Sequence, residues 1–236
     1  VTGYPEALDW SKAKNAPSND GIFVVDVKTG ARRLLVSYRQ LADKLKARYP
    51  DIEQTPLFIN HTLWNRPGDR VYFFVRGNWG KEKKKKINTP CSVHADGTGL
   101  TLHKTHIGGH PEWAEGHLLI GRRGDDQVLY DVDQRKVVGK LGTPDIFPNP
   151  EGDISLSPDG NWFVNGYKKK NENRFVVYRR SDGLHGRSEG IDKGSYSGDI
   201  RIDPAPRWNR ASNAILVPGI AKNKTRQMFV IRVVAP

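Results

Sequence analysis

Four segments of the chain repeat one pattern, in which an apolar or aromatic anchor residue is followed by a polar turn and then a strand. The segments read TLWNRPGDRVYFFV, PEWAEGHLLIG, SLSPDGNWFVNG and PRWNRASNAILVPG. Intervals of 49, 43 and 52 residues separate the four anchors, which are Trp64, Trp113, Leu156 and Trp208. Because the blades of a β-propeller repeat about every 40–50 residues, this spacing predicts a propeller.

A second pair of strands completes each repeat, around turns such as DGTG and SDG that are typical of hairpins. The sequence therefore predicts an all-β chain of four-stranded antiparallel blades, about four to five of which are visible. We expect blade remnants at 1–37 and blades at about 57–104, 108–142, 150–188 and 200–236. A sandwich or a barrel would also contain short strands, but neither requires this fourfold register.

The segment YRQLADKLKARY, at 38–49, is the one helical pattern. Its apolar residues Leu41, Leu45 and Tyr49 recur every four residues, which predicts a short helix between blades. Because so few blades close a ring poorly, we interpret residues 1–236 as a single propeller domain or a fragment of a larger ring.

The net charge of the chain is +12, because Lys and Arg exceed Asp and Glu. Such an excess favours polyanionic partners, among which the charge alone does not choose. Only Trp79 accompanies the basic run KEKKKK, so nucleic acid is not the favoured partner. No apolar run approaches the roughly 20 residues of a membrane helix, so no membrane partner is predicted.

The single cysteine, Cys91, excludes an internal disulfide, and its place in a strand predicts a small buried side chain. The first residues, VTGYPEALDW, have neither the basic nor the apolar region of a signal peptide. A cytoplasmic location and a periplasmic or extracellular location of a longer chain therefore both stay open.

Two histidine-bearing stretches, NHTLWNRPGDRVYFFVRG and GGHPEWAEG, carry a resemblance to a known family. With HADGTGLTL, SLSPDGNWFV and DPAPRWNRASNAIL, they resemble the oligogalacturonate-lyase-like branch of the TolB-like β-propellers over roughly residues 19–235. The resemblance implies a seven-bladed ring, of which this chain would be the C-terminal part. It also implies that ligands bind near the central channel.

The same resemblance implies β-elimination, in which a base removes the C5 proton of a uronate while a cation neutralises its carboxylate. His61 matches the inner-strand histidine of the family and is a predicted catalytic residue. His110 matches a metal-binding histidine, and Asp203 stands where the family has another, so both are predicted ligands of manganese or another divalent cation. Ala205 stands at a further histidine position, which leaves this metal site incomplete.

Arg201 and Tyr196 are the other predicted catalytic residues. Arg201 precedes Asp203 by two residues, so that both would face one side of an extended strand, and its guanidinium suits a carboxylate. A structural Arg201–Asp203 pair is the alternative. The predicted substrate contacts, near the basic loops and the inner strands, are Trp64, Lys85, Lys86 and Arg207.

Two functions stay open at this point. The first is a polysaccharide or oligouronide lyase that acts on acidic sugars in the central channel. The second is a non-catalytic propeller that binds acidic glycans or a protein partner. The incomplete metal site favours the second function, whereas His61, His110 and the basic loops fit both. Open strand edges at the ends of a partial ring also predict self-association.

Overall fold

The computed structural model describes residues 16–78 and 86–234. The chain divides into two compact units, Val1–His106 and Ile107–Pro236. Within the described residues, no helix has the length and apolar character needed to span a membrane.

The first unit opens with a two-stranded antiparallel sheet, β1 (Gly21–Val25) and β2 (Arg32–Ser37), which leads directly into helix α1 (Tyr38–Leu45). A capping box fixes the start of the helix: the Gln40 N–H donates to Ser37 Oγ at 3.1 Å, and the Ser37 N–H donates to Gln40 Oε1 at 2.8 Å.

The helix buries the predicted face, since Leu41 and Leu45 are fully buried. It is shorter than its apolar pattern, because it ends at Leu45 and not at Tyr49. Pro50 follows Tyr49 and disfavours helical backbone at that residue, which accounts for the early end.

The first unit also contains a four-stranded antiparallel sheet in the order β3 (Leu57–Trp64), β4 (Arg70–Gly77), β5 (Ile87–His94) and β6 (Thr101–Leu102). Its core includes Phe73, Val75 and Cys91 together with the buried face of α1. Burial raises the pKa of the Cys91 thiol to about 12, so the thiol is protonated at neutral pH. The predicted role of Cys91 as a small buried side chain is confirmed.

The second unit contains two further four-stranded antiparallel arrays. The first runs β7 (Gly108–Trp113), β8 (Leu118–Arg123), β9 (Asp126–Asp131) and β10 (Lys136–Leu141). The second runs β11 (Asp153–Leu156), β12 (Trp162–Lys169), β13 (Glu172–Arg179) and β14 (His185–Arg187), and β15 (Ile191–Asp192) also pairs with β13. A single parallel pairing, His110 with Asp153, joins their innermost strands β7 and β11.

The last sheet has three strands, in the order β16 (Arg207–Trp208), β17 (Ala214–Ile220) and β18 (Arg226–Arg232). One of its faces packs on the neighbouring array, where Ile215 and Val217 lie in one core with Val164 and Phe175. The Trp208 indole N–H donates to the Ser155 carbonyl at 3.2 Å and ties the innermost strands of these two sheets together.

The antiparallel sheets and the single helix confirm the predicted all-β class. The repeat anchors have different surroundings, however: Trp113 is 2% exposed, whereas Trp64 is 48% exposed. The anchor position of the repeat therefore does not by itself fix how deeply the tryptophan is buried. Trp64 is the last residue of β3, next to a turn, and the core of its sheet does not extend over the indole.

Candidate functional site

Four residues occupy one position of the repeat, three residues before each anchor. These residues are His61, His110, Asp153 and Ala205. The two histidines lie within β3 and β7, Asp153 begins β11, and Ala205 lies just before β16. The same position of the repeat therefore carries an imidazole in two blades, a carboxylate in the third and a methyl group in the fourth. Asp153 was not predicted as a site residue, although it lies three residues before the anchor Leu156, as His61 and His110 do before theirs.

The innermost strands are distorted at this position. The pairing of β3 with β4 shifts between Asn60 and Leu63, and His61 in this bulge has a φ of +53°. The pairing of β7 with β8 shifts between Gly108 and Glu112, and Gly109 there has a φ of +73°. Bulges redirect side chains and are common beside functional sites, so this backbone sets where each histidine points.

His61 packs against Phe74, on the face of β4 opposite to the core formed with α1. Its ring meets Phe74 edge to face, with 5.8 Å between the ring centroids, and its Nδ1 atom is shielded from solvent. The exposed Trp64 is in the same strand. Lys86 immediately precedes β5, whereas Lys85 lies outside the described residues.

A cavity of about 260 Å³ lies in the second unit where the innermost strands begin, and we call it the inner-strand cavity. Most of its lining residues carry polar or charged side chains, and the lining comprises His110, Asn149, Glu151, Gly152, Asp153, Gly166, Tyr167, Lys168, Asp203 and Pro204. The structure therefore brings together His110 and Asp203, the two residues predicted as metal ligands.

Asp153 orients His110 in this cavity. The carboxylate contacts His110 Nδ1 through Oδ1 and accepts the Ala205 N–H at 2.8 Å through Oδ2. Burial alone would raise the pKa of Asp153. The hydrogen bonds from His110 and the Ala205 N–H, with the charges of His110 and Lys168, outweigh burial and hold this pKa below 3.8. Asp153 is therefore ionised at neutral pH.

Asp203 is held between two cations. Lys168 Nζ lies 2.5 Å from Asp203 Oδ1, and Arg201 Nε lies 2.8 Å from Asp203 Oδ2. The predicted proximity of Arg201 and Asp203 is present, but residues 201–206 have no strand pairing, so the pair arises from an extended loop. Lys168 was not singled out by the sequence, because the run YKKK reads as a solvated hairpin tip.

Buried amide side chains support the segments that line the cavity. Gln127 Nε2 donates to the Pro150 carbonyl at 3.0 Å, and Asn173 Nδ2 donates to the Ile202 carbonyl at 3.3 Å. Gln127 and Asn173 are 1% and 0% exposed. These bonds fix the backbone on either side of the cavity. The sequence alone does not show this role, because a polar residue in a strand can equally face solvent.

Tyr196 and Arg207 are not part of the cavity lining in the described structure. Tyr196 is 39% exposed, and the Arg226 guanidinium lies over its ring, 4.2 Å from the centroid. Arg207 is exposed, and its guanidinium donates to the Pro206 carbonyl at 2.7 Å. Their predicted roles remain predictions.

The side chains of the cavity do not fit a manganese site. Both oxygens of Asp203 face cations, and both oxygens of Asp153 already accept donors. A divalent ion at Asp203 would lie beside the positive charges of Lys168 and Arg201, which is electrostatically unfavourable. Across residues 16–78 and 86–234, no group of three or more His, Cys, Asp or Glu residues could hold a metal ion. We derive no chemistry through a metal.

No protein-family model and no curated protein matches this chain. Among solved structures, TolB from Acinetobacter baumannii is similar over 89% of this chain, with 12% identity and a TM-score of 0.55. This chain spans 45% of the length of that protein. A putative TolB from Agrobacterium tumefaciens is similar over 88% of this chain and 83% of its own, with 11% identity and a TM-score of 0.39. With the observed sheets, the first similarity confirms the predicted TolB-like β-propeller fold, and the fold alone.

Proposed function

We propose that this β-propeller binds an acidic oligosaccharide in the inner-strand cavity. The observation that carries the proposal is the gathering of Lys168, His110 and two carboxylates in one cavity at the entry of the innermost strands. The resemblance to oligogalacturonate-lyase-like propellers supports an acidic sugar as the ligand class.

The chemistry of the cavity suits a uronate residue. A uronate has one carboxylate, which an ammonium group such as that of Lys168 can bind, and several hydroxyls. Asn149 and the second lone pairs of the Asp153 and Asp203 oxygens supply acceptors for hydroxyl donors, and hydrogen bonds to ionised groups are stronger than neutral ones. A volume of about 260 Å³ suits one sugar residue, with the rest of the chain outside.

The net charge of +12 supports the same ligand class at longer range. A positive protein attracts a polyanion and accelerates its association, and salt screens this attraction. We therefore expect affinity for an oligouronide to fall as ionic strength rises.

Calorimetric titration with trigalacturonate tests the proposal, with its methyl ester as the uncharged comparison. We expect saturable binding of the acid and much weaker binding of the ester. Lys168→Met should lower the affinity about tenfold because it removes the ammonium that faces the carboxylate. Lys169→Met, at the next and exposed position of β12, is the matched control. Equal binding of acid and ester, or equal effects of the two variants, would contradict the proposal.

A second candidate is catalysis by β-elimination, and the His110–Asp153 contact favours it. A carboxylate on Nδ1 orients an imidazole so that Nε2 can serve as a general base. In the reaction His110 would take the C5 proton of the uronate. The C–H electron pair would form the C4–C5 double bond as the C4–O bond breaks, and the departing oxygen would be protonated by solvent.

Absorbance of the unsaturated uronate product separates binding from catalysis. An increase with trigalacturonate that is lost in His110→Ala and kept in His94→Ala would establish the lyase. Since His94 is exposed in the first unit, its replacement controls for nonspecific effects. Saturable binding with no increase in absorbance would leave a binding module.

A further inference from the structure

A second cavity, of about 280 Å³, lies at the outer strands of the second unit, and we call it the outer groove. It lies between β14 and the end of β18, with side chains from β12 and β13. The lining comprises Trp162, Val177, Leu184, His185, Gly186, Arg187, Ser188, Ile231, Arg232, Val233 and Val234. The groove therefore has an apolar floor beside two strand edges.

The edge of β18 faces no further strand among the described residues. Each of the three preceding arrays has a fourth strand, namely β6, β10 or β14, whereas the last sheet ends at β18. An edge strand presents unpaired N–H and C=O groups that can pair with an added strand. On the face away from the core, Met228 and Val230 are 55% and 58% exposed, so apolar surface continues along this edge.

The arginine side chains that line the outer groove make its lining positively charged. Arg187 and Arg232 line it, and no carboxylate is among its lining residues. The Arg187 guanidinium contacts the Asp145 carbonyl. The Arg179 guanidinium, 5.4 Å from the centre of the Trp162 ring, is paired with Asp182 at 2.6 Å and adds no net charge. Such a rim complements an acidic ligand.

From these observations we propose that an extended peptide with alternating apolar residues and acidic ends binds in the outer groove as a fourth strand beside β18. Its backbone pairs with the β18 edge. Alternate apolar side chains enter the groove over Trp162, Val177 and Ile231, and an acidic residue meets Arg232. Strand addition of this kind takes affinity from main-chain hydrogen bonds and specificity from pockets for alternate side chains.

A sugar ligand fits the outer groove less well than a peptide. The floor is aliphatic and aromatic, and the unsatisfied groups at the edge are backbone donors and acceptors with the spacing of a strand. The inner-strand cavity differs in its side chains, because it contains charged pairs and few aliphatic or aromatic residues. The two sites are therefore independent, and either can fail without the other.

The test uses a fluorescein-labelled synthetic nonapeptide in which valine and threonine alternate and an aspartate stands at each end. We expect saturable binding by fluorescence anisotropy. The same peptide with alternate backbone amides N-methylated should lose at least about tenfold in affinity, because it cannot pair with the edge. A version with lysine at both ends should also bind more weakly.

Gly186 offers a matched pair of variants. A Cβ built at this residue meets no atom within 4 Å, and its backbone is not left-handed, so larger side chains can enter the groove without strain. Gly186→Phe should fill the groove and lower peptide affinity at least about tenfold, whereas Gly186→Ala should stay within about twofold. Arg232→Glu should also weaken binding, with Arg210→Glu in the β16–β17 turn as its control.

Three results would overturn the proposal. The first is an absence of saturable peptide binding. The second is equal affinity for the N-methylated peptide or for Gly186→Phe. The third is concentration-dependent self-association in sedimentation experiments that Gly186→Phe abolishes while no peptide binds, because a second copy of the chain would then be the occupant.

Discussion

His61 and His110 occupy the same position of the repeat, yet they have opposite surroundings. His61 has left-handed backbone in a bulge and packs its ring against Phe74 in the first unit. The His110 side chain is 53% exposed, contacts Asp153 and lines a cavity in the second unit. The repeat fixes the position of the residue, and the neighbouring side chains decide whether it packs against an aromatic ring or lines a cavity.

The difference between the two blades begins in the backbone. The first blade puts the left-handed residue at the histidine itself, whereas the next blade puts it at Gly109, one residue earlier. A left-handed conformation costs a residue with a side chain about 1–2 kcal/mol, and a glycine almost nothing. His110 is therefore released from the strain that His61 bears, and it can reach the carboxylate of the next innermost strand.

Replacement of each histidine by valine should give the largest difference in stability between the two blades. His61→Val should lower the free energy of unfolding by about 2–3 kcal/mol, because a β-branched residue tolerates left-handed backbone poorly and the contact with Phe74 is lost. His110→Val should cost about 1–2 kcal/mol, because it removes the contact with Asp153 although the His110 side chain itself is half exposed. Urea unfolding of both variants measures the difference. His61→Gly, which relieves the backbone, should fall between them, and equal losses for the two valine variants would refute this account.

Asp153→Asn should have an intermediate effect, about 1–2 kcal/mol near neutral pH, because it removes a charge-assisted contact with His110. The folded-state pKa of Asp153 is lowered, so its contribution is fully present above the unfolded value near 3.8. That contribution is lost as the pH falls through the folded-state pKa. The stability difference between wild type and Asp153→Asn should therefore shrink at acid pH. The His61→Gly variant should keep the acid dependence of the wild type, and a constant difference across pH would contradict the role given to Asp153.

Gly109→Ala should have the smallest effect, about 1 kcal/mol, because the added methyl group meets a left-handed backbone. Its Cβ would lie 3.3 Å from the Glu151 carbonyl oxygen, so the loop that lines the inner-strand cavity must shift slightly. Thermal unfolding measures the loss, and Gly186→Ala, at an ordinary and open position, is the control. An unchanged melting temperature for Gly109→Ala would show that the left-handed glycine does not distinguish the two blades.

The fold was largely readable from the sequence, since turn and strand patterns are local and the anchor spacing repeats. The helix at α1 was predicted by its apolar period, and only its end was misplaced. The candidate site was readable in part: His110 and Asp203 were predicted and do line one cavity, but His110 is hydrogen-bonded to Asp153 and Asp203 is paired with Lys168 and Arg201. Lys168 was not predicted, because it belongs to a basic run in the sequence and only the position of β12 in its sheet places it next to Asp203.

The sequence by itself determined the period, the strand and turn chemistry and the positions at which polar side chains enter the innermost strands. These follow from backbone preferences and side-chain alternation, which act over a few residues. The tertiary structure alone decided which charges meet: Asp153 with His110 across a parallel pairing, and Asp203 with Lys168 and Arg201 across a loop. Such contacts depend on distances between segments far apart in the chain, which local patterns do not contain.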